Sequence, residues 1–145
     1  GDFDLSFDRV DYDRSCDTVN IIIDRDKSKS RLDDKYHTFL KRCEELKFTP
    51  YITNPKFELW ILCHYDDVQE VLRSISSDVN PAASLDREME RRGYNKKNEY
   101  FLEMIRSIDV AMENSSILES DLDRLISTVG TNIPKLIEAL RLNDY

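Results

Sequence analysis

Hydrophobic and polar positions along this chain alternate between two periods, and the changes of period mark out its elements. Val19-Asn20-Ile21-Ile22-Ile23 crowds β-branched residues into one short run. Such a run predicts a strand over 18–23 that is buried, central and parallel. Leu32, Tyr36, Phe39, Leu40, Cys43 and Leu46 then recur at helical spacing, predicting an amphipathic helix over about 32–47. Phe48 to Thr53 reads as a second strand, so strand, helix and strand make one right-handed βαβ unit.

Downstream the pattern is helical. Asn54-Pro55 predicts a helix start, with Asn54 as N-cap and Pro55 at the first helical position. Phe57, Trp60, Ile61 and His64 give that helix one apolar face, with Trp60 and Phe57 in the core and His64 as a satisfied core histidine. Val68, Val71, Leu72 and Ile75 repeat the spacing in a shorter helix, and Ser84–Arg92 reads as another. Gly93-Tyr94-Asn95-Lys96-Lys97 is a loop, and residues 98–113 form an amphipathic helix through Phe101, Ile105, Ile108 and Met112. Leu122, Leu125 and Ile126 predict a short helix. Beyond Gly130, Thr131 or Asn132 caps a last helix carrying Ile133, Leu136, Ile137 and Leu140. The fold class is therefore α/β, a small parallel sheet with flanking helices and a helical C-terminal half, in a single domain over 1–145. Two strands alone make a marginal sheet. A further strand is expected, either upstream of this chain or from the alternating Phe3, Leu5 and Phe7.

Composition narrows the class. Of 145 residues, 40% are hydrophobic and 34% charged, the balance of a globular domain. No stretch approaches the roughly 18 apolar residues of a membrane span, and no signal peptide is visible. Cys16, Cys43 and Cys63 are an odd count without C-x-x-C spacing, which fits reduced thiols in a cytoplasm; Cys43 and Cys63 read as core filling. The net charge of −8 argues against an extended nucleic-acid footprint, but its distribution is uneven. Residues 1–17 carry a net −4, whereas Arg25, Lys27, Lys29 and Arg31 give 25–31 a local net of +3 around Asp26. A basic mouth on an acidic protein is compatible with a phosphodiester substrate.

The first strand ends in Asp24-Arg25-Asp26. Residues two apart on an extended chain share a face, so both carboxylates point the same way at the strand's carboxyl end, where α/β sheets bind ligands. Paired hard oxygen donors suit Mg²⁺ or Mn²⁺; alternatively Asp24 simply caps a polar turn. Arg25, between the acids, pairs with a carboxylate or touches phosphate, and Lys27, Lys29 and Lys96 are candidate contacts to a nucleic-acid backbone or plain solvated side chains.

The run Asn54-Pro55-Lys56-Phe57-Glu58-Leu59-Trp60-Ile61-Leu62-Cys63-His64-Tyr65 resembles the N-P-x-F-E-x-W-x-L-x-H-F stretch of the RloB-like, or AbiLii-like, family. Ile21-Ile22-Ile23-Asp24-Arg25-Asp26, the Gly93-Tyr94 loop to Asn98 and the Gly130-Thr131-Asn132-Ile133 helix start agree with it in order, over most of 17–142. The resemblance implies a branch of the TOPRIM superfamily and a Mg²⁺-dependent nuclease of a phage-defence or abortive-infection system. Its implied substrate is DNA or RNA, with a possible partner protein from a defence operon and no membrane. On it, Asp24 and Asp26 become metal-binding catalytic aspartates, and Glu58 becomes a third acidic group near the metal; otherwise Glu58 is a residue favoured by a helix N-terminus. The family's early Glu strand end is absent, since residues 1–17 contain Asp but no Glu. The expectation is a fragment beginning after that motif or a member lacking it. A non-catalytic interaction or sensor module is the alternative function.

Overall fold

The computed structural model describes residues 13, 15, 17–25, 33–95, 104 and 106–142. Within them the sheet has three strands in the order β1 (Asn20–Asp24), β2 (Thr49–Asn54) and β3 (Gly130–Thr131). Strand β1 runs parallel to β2, with Ile22 opposite Tyr51 and Asp24 opposite Thr53. Helix α1 (Asp33–Leu46) makes the crossover, as the helical spacing predicts. Strand β3 runs antiparallel to β2, pairing Thr131 with Thr53.

The central strand is β2, whose residues from Pro50 to Asn54 are all buried. Strand β1 lies at the edge among the described residues, not at the centre. Its exposure alternates, and Ile22 is 50% exposed. The β-branched run therefore reports strand character correctly but not burial on both faces. Ile21 and Ile23 pack with Tyr36, Phe39, Cys43, Phe48, Ile52 and Leu125 under α1. Tyr51 belongs to a second core on the opposite face, together with Leu59 to Cys63, Leu72, Leu85 and Ile133.

That second core is built by α2 (Glu58–Leu62), α3 (Gln69–Ser77), α4 (Pro81–Arg91), α5 (Ile108–Ser115) and α6 (Ile133–Leu142). Two Asn-Pro pairs behave differently. At Asn80-Pro81 the expected grammar of a helix start operates: Ala83 N–H donates to Asn80 Oδ1 at 3.2 Å and Pro81 opens α4, three residues before the predicted Ser84. At Asn54-Pro55 it does not. Asn54 closes β2, its peptide bond to Pro55 is cis, and its buried side-chain amide donates to Leu125 O at 2.8 Å. With that side chain engaged elsewhere, α2 starts at Glu58 instead and ends at Leu62, before His64.

Other boundaries shift for local reasons. The predicted helix over 98–113 is interrupted by a turn at Arg106 and Ser107, so the described helix begins at Ile108. Around Leu122–Ile126 the chain forms consecutive turns, with Leu125 N–H donating to Asp121 O, not a regular helix. Thr131 Oγ1 accepts from Ile133 N–H at the start of α6, while Asn132 turns its side chain toward β2. There Asn132 Oδ1 accepts from Ile52 N–H and its Nδ2 donates to Pro50 O, replacing a strand residue beside a proline that lacks a donor.

Trp60 is buried as its spacing predicts, Cys43 and Cys63 fill the core as expected, and Phe57 packs partly buried against it. His64 is half-buried; its Nδ1 lies 2.9 Å from Trp60 O, and a carbonyl only accepts, so that nitrogen carries the proton. Burial holds its pKa below the ordinary histidine value. No helix among the described residues is long and apolar enough to cross a membrane. The possible strand around Phe3–Phe7, the loop 27–30 and Cys16 lie outside the described residues.

Candidate functional site at the carboxyl end of the parallel pair

Parallel pairing puts the carboxyl ends of β1 and β2 side by side. Asp24 faces Thr53 in register, and one residue on, Arg25 N–H still donates to Thr53 O at 2.8 Å. Thr53 and Thr131 share a hydroxyl–hydroxyl hydrogen bond of 2.8 Å across β2 and β3, which ties the third strand to the same end.

Asp24 reaches from this end to α2. Phe57 N–H, at the N-terminal end of that helix, donates to Asp24 Oδ1 at 2.9 Å. The cap that Asn54 would have supplied locally thus comes from another strand, 33 residues away. Glu58 follows Phe57 directly, in the first turn. Asp24 is therefore bonded to the residue that precedes Glu58. Among the described residues Asp24 thus caps neither a local polar turn nor its own strand but the start of α2.

Arg25 turns inward. It is only 5% exposed, and its guanidinium carbon lies 5.5 Å from the centroid of the Tyr36 ring. Tyr36 OH donates to Leu122 O at 2.6 Å, and burial pushes its pKa up to about 12, against the opposing effect of Arg25. Arg25 thereby links the strand end to α1. Asp26, Lys27, Lys29 and Lys96 lie outside the described residues. Among the described residues no three His, Cys, Asp or Glu side chains cluster as a metal-binding group. The oxygen donors of Asp24 and Glu58 are nevertheless the hard type that Mg²⁺ prefers.

Beside this junction lies an open cleft of about 590 Å³. Lys56 and Glu58 line it from the α2 side; Asp86, Met89 and Glu90 line it from α4, and Gly93, Tyr94 and Asn95 complete it. Lys56 is ion-paired with Asp86 across it. The Tyr94 end is set by a Schellman turn. Gly93, at φ +74°, donates its N–H to Glu90 O at 2.9 Å, and Tyr94 N–H donates to Met89 O at 3.0 Å. Sequence reading places Gly93–Lys97 in a loop without identifying this cleft, whose walls lie about 30 residues apart in sequence. The one legible signal is a glycine immediately after a helix ending in Arg91-Arg92.

The capping role of Asp24 has a measurable consequence. Asp24→Ala leaves Phe57 N–H without this acceptor and is expected to cost about 1 kcal/mol of stability. Asp24→Asn, which keeps an acceptor oxygen, is expected to cost less. Urea midpoints of the two variants check this; equal losses would show that the capping oxygen is energetically silent.

No curated protein and no solved structure matches the chain. The sequence model of the family described as RloB-like protein matches residues 5–140.

Proposed function

This chain belongs to the RloB-like protein family, and from that premise we propose that it is the TOPRIM-like, Mg²⁺-dependent nuclease domain of a bacterial phage-defence system. The observation that carries the reading is the junction of Asp24 with α2. An aspartate at the carboxyl end of a parallel strand holds the first turn that presents Glu58, and ligand sites of open α/β sheets lie at such strand ends. Asp24 and Asp26 are the residues that would hold the ion, with Glu58 as a proposed third acidic group. When bound, Mg²⁺ supplies charge stabilisation at phosphoryl oxygens and lowers the pKa of bound water.

The chain's own residues do the positioning. The Phe57 amide fixes the Asp24 carboxylate, and the Arg25–Tyr36 contact anchors the strand end behind it. Phosphoryl transfer depends chiefly on such placement of charge, so loss of an anchor should be costly. Nucleic acid, DNA or RNA, is the substrate class; Lys27, Lys29 and Lys96 are the proposed backbone contacts. Arg25, turned toward Tyr36, is assigned to holding the strand end.

The test is cleavage of labelled DNA and RNA by the protein with and without Mg²⁺. Mg²⁺-dependent cleavage is expected, with at least a hundredfold loss in Asp26→Asn at unchanged far-ultraviolet circular dichroism. Calorimetric titration with Mn²⁺ should give a weak isotherm that Asp24→Asn abolishes. Unimpaired cleavage by Asp26→Asn, or identical isotherms, would overturn the metal assignment. Absence of cleavage even with partner proteins and a phage trigger would favour a non-catalytic interaction module. The half-exposed Ile22 on the β1 edge is the observation favouring that second reading.

A further inference from the structure

We propose that Tyr36 and Asn54 are positioning residues of the strand-end site, and that both act through one brace, the turn segment 121–126. What they position rests on the nuclease reading; the brace itself rests on hydrogen bonds. Tyr36 OH donates to Leu122 O at 2.6 Å, and Asn54 Nδ2 donates to Leu125 O at 2.8 Å. On the β1 side, the Tyr36 ring carries the guanidinium of Arg25, the residue that follows Asp24. On the β2 side, Asn54 ends the strand and leads into Phe57, whose N–H holds Asp24 Oδ1. The contacts close a circuit, from Asp24 through Arg25 and Tyr36 to the turn and back through Asn54 and Phe57 to Asp24. A carboxylate in such a circuit has its place set from both directions.

The turn is suited to bracing. Asp121 Oδ1 accepts Asp123 N–H and Asp121 O accepts Leu125 N–H, each at 2.9 Å, so the carbonyls of Leu122 and Leu125 keep a fixed spacing. Leu125 is fully buried in the core under α1, together with Tyr36 and Ile52. Both donors are buried as well, and burial pushes the Tyr36 pKa up to about 12, so its hydroxyl keeps its proton at neutral pH. Packing alone asks for no polar atom at either place, since an apolar side chain would fill the space without a desolvation cost. What the polar atoms add is direction. Phosphoryl transfer depends on it, because misplacing a charged group by ~1 Å can cost about a hundredfold in rate.

The test reads hydrogen exchange of the Phe57 amide by NMR, with neither metal nor nucleic acid present. Tyr36→Phe, which removes one oxygen, and Asn54→Ala should each speed that exchange roughly fivefold. Because a circuit opened once is open, the double variant should exchange at about the rate of either single one, whereas independent bonds would multiply to roughly twenty-five-fold. Ile75→Val, a core change in α3, stands for simple loss of stability and should leave the Phe57 amide in place. In the cleavage assay, Tyr36→Phe should lower kcat about tenfold at unchanged KM, as expected when a group is misplaced in the transition state. Should Asn54→Ala fail to fold, Tyr36→Phe decides alone. Unchanged exchange in Tyr36→Phe, an equal response in Ile75→Val, a multiplied effect in the double variant, or an unchanged kcat would each overturn the proposal. A responsive amide in a protein that cleaves no nucleic acid would sink the nuclease reading and leave the brace standing.

Discussion

Gly130→Ala is expected to lose about 3 kcal/mol of stability, the upper end of the usual cost of overpacking. The reason is proximity, not backbone conformation. A Cβ at Gly130 would lie 2.1 Å from Glu119 O and 2.8 Å from Glu119 C, with Leu125 Cδ2 at 2.9 Å. Two of these atoms are main chain, so no rotamer change relieves them. The same carbonyl accepts Thr131 N–H at 2.9 Å, and Thr131 supports both β3 and the start of α6. Relief of the clash must therefore disturb the third strand. The expected readout is a denaturation midpoint lowered by about 10 °C at this chain length, with an unchanged dependence on denaturant. A shift of the size seen for a surface substitution would mean that the 119–130 contact is looser than described.

Trp60→Ala is expected to cost roughly 3–5 kcal/mol, as large-to-small changes in packed cores do. Trp60 is 5% exposed and sits in a helix whose residues 59–62 are all buried. The His64 ring stands edge-on to it, with centroids 5.0 Å apart. A five-residue helix has almost no stability of its own, so its place is set by the indole and its neighbours. Trp60→Phe, which keeps much of the apolar volume, should lose clearly less. Equal losses for the two variants would remove volume as the cause.

These two sites differ in legibility. Trp60 is readable from sequence because Phe57, Trp60, Ile61 and His64 fall on one helical face. The contact at Gly130 is not, because it depends on Glu119 arriving through a loop. The strand–helix–strand unit follows from local periodicity and is found with boundaries shifted by one or two residues. Strand β3 has only two residues, too few to show a period. The Asn-Pro pairs show how tertiary bonds override local grammar: Asn80 bonds its own helix, whereas Asn54 is captured by Leu125 O. At the candidate site, Asp24 and Glu58 are legible as residue types, whereas the bond from Asp24 to the residue before Glu58 requires the fold. The cleft needed more still, since its shape arises between elements far apart in sequence.

Asn132 gives the sheet two unlike margins. On the β3 side its carboxamide imitates a peptide group, saturating Ile52 N–H and Pro50 O where the third strand has already ended. There the stretch of β2 left unpaired by β3 is closed by a plug one side chain long, and the outer side of β3 is met by Glu119, which bridges Gly130 and accepts Thr131 N–H. Opposite it, β1 is the margin among the described residues, with Ile22 half-exposed. Exposed strand edges are templates for further pairing, and proteins block the ones that must stay single. Among the described residues, the edge left open for further pairing is therefore that of β1, on the side of the acidic strand end.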